Sequence, residues 1–228
     1  MRLILNWILW IMKWPLALLM LGLIIPAFLC AIFMVAQLVQ SPALLLFGIP
    51  LVSTCLFWVF FLRNTGTSSF AIFEHEITHM LFALLTFHKP VSLEVHRNKG
   101  GSFGYQGEGN WLISLAPYFF PTFPLLIMLG TLLYSFTNQP VPDVFLIILG
   151  FATGYHICTI IASLHPQQTD FKQAGFLFTL LFLPAANLIC YGIIFSFTVF
   201  GWRGISLFQK LLTNESISFF NDLLQLFS

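Results

Sequence analysis

The sequence predicts an all-α, polytopic membrane protein with about six transmembrane helices and a small β-hairpin after the third. Three observations support this fold class. Hydrophobic residues make up 58% of the 228 residues and charged residues only 7%, against about 25% charged in ordinary soluble domains. Six apolar segments approach the roughly 20 residues that a helix needs to cross a bilayer. The one sizeable polar insert alternates apolar and polar residues, as strands do.

The predicted spans follow the apolar segments in chain order. They lie near residues 15–39, 43–63, 69–87, 111–136, 143–164 and 170–200. Residues 1–14 are also largely apolar, so they either lie in the membrane interface or extend the first helix. Pro117, Pro121 and Pro124 predict that the fourth span is distorted, because proline removes a backbone donor from a helix.

The polar insert and the C-terminal tail are the two segments without a spanning pattern. Residues 91–96 and 102–106 read as two strands, and residues 97–101 (RNKGG) as the turn between them. From residue 202 onward, apolar residues recur at helical spacing, which predicts an amphipathic helix. That helix either lies on the membrane surface or packs against the bundle.

Charge and cysteine content exclude several classes of function. The formal net charge is +1 and the basic residues are scattered, so the chain has no basic patch of the kind that binds nucleic acid. The four cysteines lie in apolar segments without paired spacing, which predicts core packing and neither disulfides nor a thiolate metal site.

The third predicted span contains a cluster of ionisable residues suited to bind a metal. Glu74, His75, Glu76 and His79 fall within six residues, although ionisable side chains at the centre of a bilayer are costly, by about 2.5–3.5 kcal/mol for Asp, Lys or Arg. A divalent cation would compensate this cost directly. Residues four apart share one helix face, so His75 and His79 can both direct a nitrogen at one ion.

The motif also supplies a general base. His75, Glu76 and His79 form the H-E-x-x-H pattern, in which two histidines hold zinc and the glutamate takes a proton from a water on the metal. The alternative is that the two histidines and two glutamates pair with one another and stabilise the bundle without a metal.

Catalytic zinc usually has three protein ligands, and the sequence leaves the third open. Asp170, at the start of the sixth span, is the favoured candidate. Alternatively, Asp170 is an acidic residue at a helix N-terminus, where the helix dipole stabilises its negative charge. The other candidates are His156, His165, Glu94 and Glu108.

With these residues in place, the chain resembles the site-two protease family of intramembrane zinc metalloproteases. The resemblance covers residues 69–200 and depends on the H-E-x-x-H motif in a span, the strand-rich insert, and Asp170 after Pro166. It implies that Asp170 is the third zinc ligand, because an aspartate after a proline-containing segment has that role in the family. Phe171 departs from the family pattern, which usually has glycine there.

The resemblance divides the chain into N-terminal transmembrane helices (1–68), a metalloprotease core with a hairpin insert at 88–110 (69–200) and the amphipathic tail (201–228). It implies a multi-pass enzyme of the membrane that uses Zn²⁺ and hydrolyses peptide bonds in or near a membrane-spanning protein or peptide substrate. The expected site is His75, His79 and Asp170 as ligands and Glu76 as the catalytic base. The alternative is a membrane metal-binding protein without hydrolytic activity, such as a transporter, a sensor or an inactive scaffold.

Overall fold

The computed structural model describes residues 1–62, 69–96, 100–165 and 167–226. Its helices are α1 (Arg2–Val39), α2 (Leu44–Leu62), α3 (Ser69–Leu85), α4 (Trp111–Leu115), α5 (Thr122–Ser135), α6 (Val144–Ser163), α7 (Thr169–Ala174), α8 (Phe176–Phe200) and α9 (Trp202–Gln225). Strands β1 (Pro90–His96) and β2 (Gly100–Tyr105) form one hairpin between α3 and α4.

The predicted fold class is confirmed: the chain is an integral, multi-pass membrane protein with a small hairpin. Four described helices, α1, α2, α6 and α8, are long and apolar enough to span a membrane. The predicted fourth span is bent by 82° between its two halves, residues Trp111–Tyr118 and Thr122–Ser135, and counts as a fifth span if the two halves are taken together. At 17 residues, α3 is shorter than the ~20 residues that a full crossing needs.

The first helix begins earlier than the predicted span, because the N-terminal apolar residues extend it to Arg2. This extension is tied to the chain that follows the hairpin. Arg2 Nη1 donates to Gln106 O at 2.9 Å, Asn6 Nδ2 donates to Glu108 O at 2.9 Å, and Trp111 Nε1 donates to Leu9 O at 2.8 Å. Further along, α1 packs chiefly against α8.

Helices α2 and α6 approach closely through two glycines. A Cβ at Gly150 would meet the Phe47 carbonyl, and one at Gly154 would meet the Leu51 carbonyl. Small residues let membrane helices pack backbone to backbone in this way. Helix α6 also packs beside α3, where Cys158 and Ala71 lie in one buried cluster.

The hairpin confirms the predicted strands, and its strands are antiparallel. Leu93 pairs with Phe103, and His96 with Gly100; residues 97–99 of the predicted turn lie outside the described residues. The hairpin packs on α3 at Gly101, where a Cβ would fall 2.5 Å from Ile72 Cγ2 and 2.6 Å from Glu76 Cγ. A side chain at this position would displace Ile72 or Glu76, so the glycine lets β2 lie close over Glu76.

The C-terminal helix α9 has the amphipathic pattern predicted for it and packs against the bundle. The Phe208 ring is buried over Gly192 of α8, and the Phe220 ring lies over Gly22 of α1. Other apolar side chains of α9, including Ile217 and Leu224, are exposed and are available to lipid.

Candidate metal centre

The two histidines of the motif meet on one face of α3. The distance between His75 Nε2 and His79 Nε2 is 3.1 Å. The other nitrogen of His79, Nδ1, lies 2.8 Å from the carbonyl oxygen of Ile113. Because a carbonyl only accepts, Nδ1 carries the proton and leaves the Nε2 lone pair free. Metal-binding histidines are commonly oriented by such a contact.

The Ile113 carbonyl is free for His79 because of the prolines that were predicted to distort this segment. In a continuous α-helix it would accept from the backbone N–H of residue 117. Residue 117 is proline and has no N–H. The chain turns into a 3₁₀ segment at Ala116–Tyr118, and the freed carbonyl accepts from the imidazole.

Asp170 reaches the histidines from α7. Its Oδ2 lies 3.6 Å from His75 Nε2 and 3.6 Å from His79 Nε2. Phe171 and Ala174 anchor α7 in a buried cluster with α1, α4 and α8. Phe171, the departure from the family pattern, thus fills a core position, with its ring centroid 4.6 Å from that of Tyr118.

The spacing of the three donor atoms suits one zinc ion. Tetrahedral zinc with bonds of about 2.0–2.1 Å places its ligand atoms roughly 3.3 Å apart. The three distances here are 3.1, 3.6 and 3.6 Å. Within the described part of the chain, this is the one group of at least three His, Cys, Asp or Glu side chains arranged to hold a metal. Two imidazole nitrogens and a carboxylate oxygen are also the donor types that catalytic zinc takes.

Tyr118 belongs to the site and was missed by the sequence analysis. Its hydroxyl donates to Asp170 Oδ2 at 2.8 Å, and its ring centroid lies 5.2 Å from that of His75. The side chain is fully buried. Tyr118 lies 39 positions after His79, the last residue of the motif, and no sequence pattern connects the two. Only the tertiary fold brings Tyr118 to Asp170.

Glu76 lies in the wall of a cavity of about 970 Å³, the metal-site cavity, which His75, His79 and Asp170 also line. The whole of β2 and polar side chains of α4, α6 and α7 complete the lining, among them Ser114, Ser163 and Gln173. Tyr105 contributes a neutral hydroxyl, since burial, and then the charge of Asp170, raises the pKa of its phenol. A polar cavity of this size beside the three donor atoms provides room for water and an extended chain.

The remaining candidates from the sequence do not join the three donors. His156 Nδ1 lies 3.5 Å from Glu74 Oε1, His165 Nδ1 accepts from Gln167 N, and Glu94 pairs with His96 on the exposed hairpin. The backbone carbonyl of Glu108 accepts from His88. The structure therefore brings Asp170, and none of these four, to the histidine pair.

Comparison with known proteins identifies the family of the chain. The model of the Peptidase M50B-like family matches residues 67–195, from the approach to α3 through most of α8, which is more than half of the chain. No curated protein and no solved structure matches the chain. The chain is thus a membrane-embedded member of a protease family. It belongs to the Peptidase M50B-like family, which bears out its resemblance to the site-two proteases.

Proposed function

We propose that this protein is an intramembrane zinc metalloendopeptidase that hydrolyses a peptide bond in or near a membrane-spanning substrate. The observation that carries the proposal is the meeting of His75, His79 and Asp170 beside Glu76 in one polar cavity. His75, His79 and Asp170 hold the metal in this scheme. Family membership supports the reaction class.

In this mechanism the metal acts as a Lewis acid and Glu76 transfers the protons. Bound zinc supplies Lewis-acid chemistry that lowers the pKa of water to about 7 and polarises a scissile carbonyl. Glu76 accepts the proton that the attacking water loses and delivers it to the leaving amine. Glu76 lines the same cavity as the three donors, below β2 at Gly101.

Strand β2 supplies a place for the substrate backbone. The described sheet has only two strands, so one edge of β2 is covered by no strand, and all of β2 lines the metal-site cavity. The peptide bonds of a helix are sheltered by its own hydrogen bonds, so a substrate helix has to unwind before it is cut. An unwound segment can add to the free edge of β2 through backbone hydrogen bonds.

A transporter would need a continuous polar route through the bundle. Between Lys13 and Leu62 the sequence contains no Asp, Glu, Lys, Arg or His, so most of the first two spans offer no ionisable group to a passing ion. An inactive scaffold would have no use for a general base at Glu76. Both observations favour the enzyme.

The test is Glu76→Gln in purified, membrane-reconstituted protein. This change keeps the shape of the side chain and removes its capacity to accept a proton, so we expect hydrolysis of a verified substrate to be abolished while zinc content stays at the wild-type level. Glu94→Gln, the same change on the exposed hairpin, is the matched control and should leave turnover unaltered. Full activity of the Glu76→Gln variant would contradict the mechanism.

A further inference from the structure

A second group of buried polar side chains lies behind the metal centre, between α3 and α6. Glu74 is 4% exposed and His156 is 2% exposed, and His156 Nδ1 lies 3.5 Å from Glu74 Oε1. Apart from this long contact, neither carboxylate oxygen of Glu74 nor Nε2 of His156 has a hydrogen-bond partner among the described residues. The cluster thus holds several polar atoms that the protein itself leaves unsatisfied.

Such groups are rarely left unsatisfied in folded proteins, and buried water is a common partner. A cavity of about 10 Å³ lies at this point, close to the smallest volume, about 10–15 Å³, that admits one water molecule. Its lining includes Glu74, His156, Thr159, Ser163 and, from the metal centre, His75. The cavity is therefore polar, and its volume is at the lower limit for one water molecule.

We propose that Glu74 and His156 bind one buried water molecule that also accepts a hydrogen bond from Nδ1–H of His75. Nε2 of His75 faces His79 and Asp170, so Nδ1 is the ring nitrogen that remains for a partner in this cavity. The water fixes the tautomer and orientation of His75, as the Ile113 carbonyl does for His79. Glu74 is then a positioning residue for the metal centre, an assignment that rests on the proposed zinc site.

This assignment explains a carboxylate that the H-E-x-x-H motif does not use. Glu74 directly precedes the motif, in a segment where an ionisable group is costly. A contact with His156 alone would leave the second oxygen of Glu74 and Nε2 of His156 unsatisfied. A shared water satisfies more of these atoms and connects them to the metal site.

The test measures zinc affinity of the full chain by competition with a chelator. We expect Glu74→Met, which removes both acceptor oxygens, to weaken zinc binding about 10–100-fold, the usual effect of losing an outer partner of a metal ligand. Glu74→Gln keeps one acceptor oxygen and should recover part of this loss. Glu94→Gln, on the exposed hairpin, should bind zinc as the wild type does. Wild-type affinity in Glu74→Met would overturn the inference.

The melting temperature of the metal-free protein separates positioning from general stabilisation. Replacing both members of a buried pair by apolar side chains of similar volume is often neutral or stabilising. We therefore expect the metal-free protein with Glu74→Met and His156→Leu together to melt at or above the wild-type temperature, and to bind zinc as weakly as Glu74→Met does. A lower melting temperature accompanying the loss of affinity would make the role structural and refute the inference. Wild-type protein unable to bind zinc would refute the proposed function itself, a different result.

Discussion

A single oxygen of Asp170 connects the parts of the metal centre. Oδ2 accepts from the Tyr118 hydroxyl at 2.8 Å and lies 3.6 Å from Nε2 of each histidine. Tyr118 is held in turn by the rings of Phe171 and His75. In the proposed zinc site, the tyrosine thus orients the carboxylate in advance of metal binding, and preorganised ligands bind metals more tightly.

Tyr118→Phe tests this role, because it removes the hydroxyl and keeps the ring packing. We expect zinc affinity to fall about tenfold, at the lower end of the range for an outer partner of a metal ligand. Affinity is measured by chelator competition, with Tyr134→Phe on α5 as the control. Equal zinc affinity in Tyr118→Phe and wild type would mean that the hydroxyl does not orient Asp170.

At the residue scale, the sequence predicts the site residues whose relative positions are set within one helix. His75, Glu76 and His79 follow from fixed spacing on one helix, which needs no knowledge of the rest of the fold. Tyr118 and the Ile113 carbonyl depend on where α4 lies against α3, and no spacing in the sequence encodes that. Asp170 is intermediate: chemistry and family resemblance suggested it, and only the packing of α7 brings it to the histidines.

At the scale of elements, the pairing of α3 with β2 shapes the site. Gly101 lets β2 lie against Ile72 and Glu76, so the strand forms one wall of the metal-site cavity. Successive N–H groups of a strand point to opposite edges. One of two neighbouring residues, Ser102 and Phe103, therefore presents its N–H at the free edge.

Proline at these two positions tests whether the edge holds the substrate. We expect one of Ser102→Pro and Phe103→Pro to lower cleavage strongly at unchanged zinc content, because proline removes the backbone donor that a substrate strand would use. The other proline variant loses the N–H that faces β1, so it measures the effect of weakening the hairpin itself. Ser102→Ala and Phe103→Ala keep both donors and serve as controls. Unaltered turnover in both proline variants would exclude strand addition.

The breaks between elements were harder to predict than the elements themselves. Pro117, Pro121 and Pro124 indicated a distorted span, but not the bend of 82° between its halves. The predicted sixth span began at residue 170, whereas the structure ends α7 at Ala174 and begins α8 at Phe176. Gly175 between them has φ +88°, a conformation that costs glycine little. One glycine in an apolar run does not by itself reveal such a break.

At the scale of the whole molecule, the fold provides the polar space that the proposed hydrolysis needs inside an apolar bundle. Four described helices and one bent pair are long and apolar enough to span a bilayer, while α3 is only 17 residues long, or about 26 Å. A polar cavity of about 970 Å³ lies beside it. The bundle thus keeps a water-accommodating space around its ionisable residues, which composition and apolar segment lengths alone do not predict.

Metal analysis of the purified, full-length protein tests the central claim most directly. Wild type, His75→Ala and Asp170→Ala are compared after preparation without chelators and after incubation with zinc. We expect about one zinc per chain in the wild type, as for a single catalytic site with three protein ligands, and a large loss in both variants. A wild-type protein that is metal-free and takes up no zinc would contradict that claim.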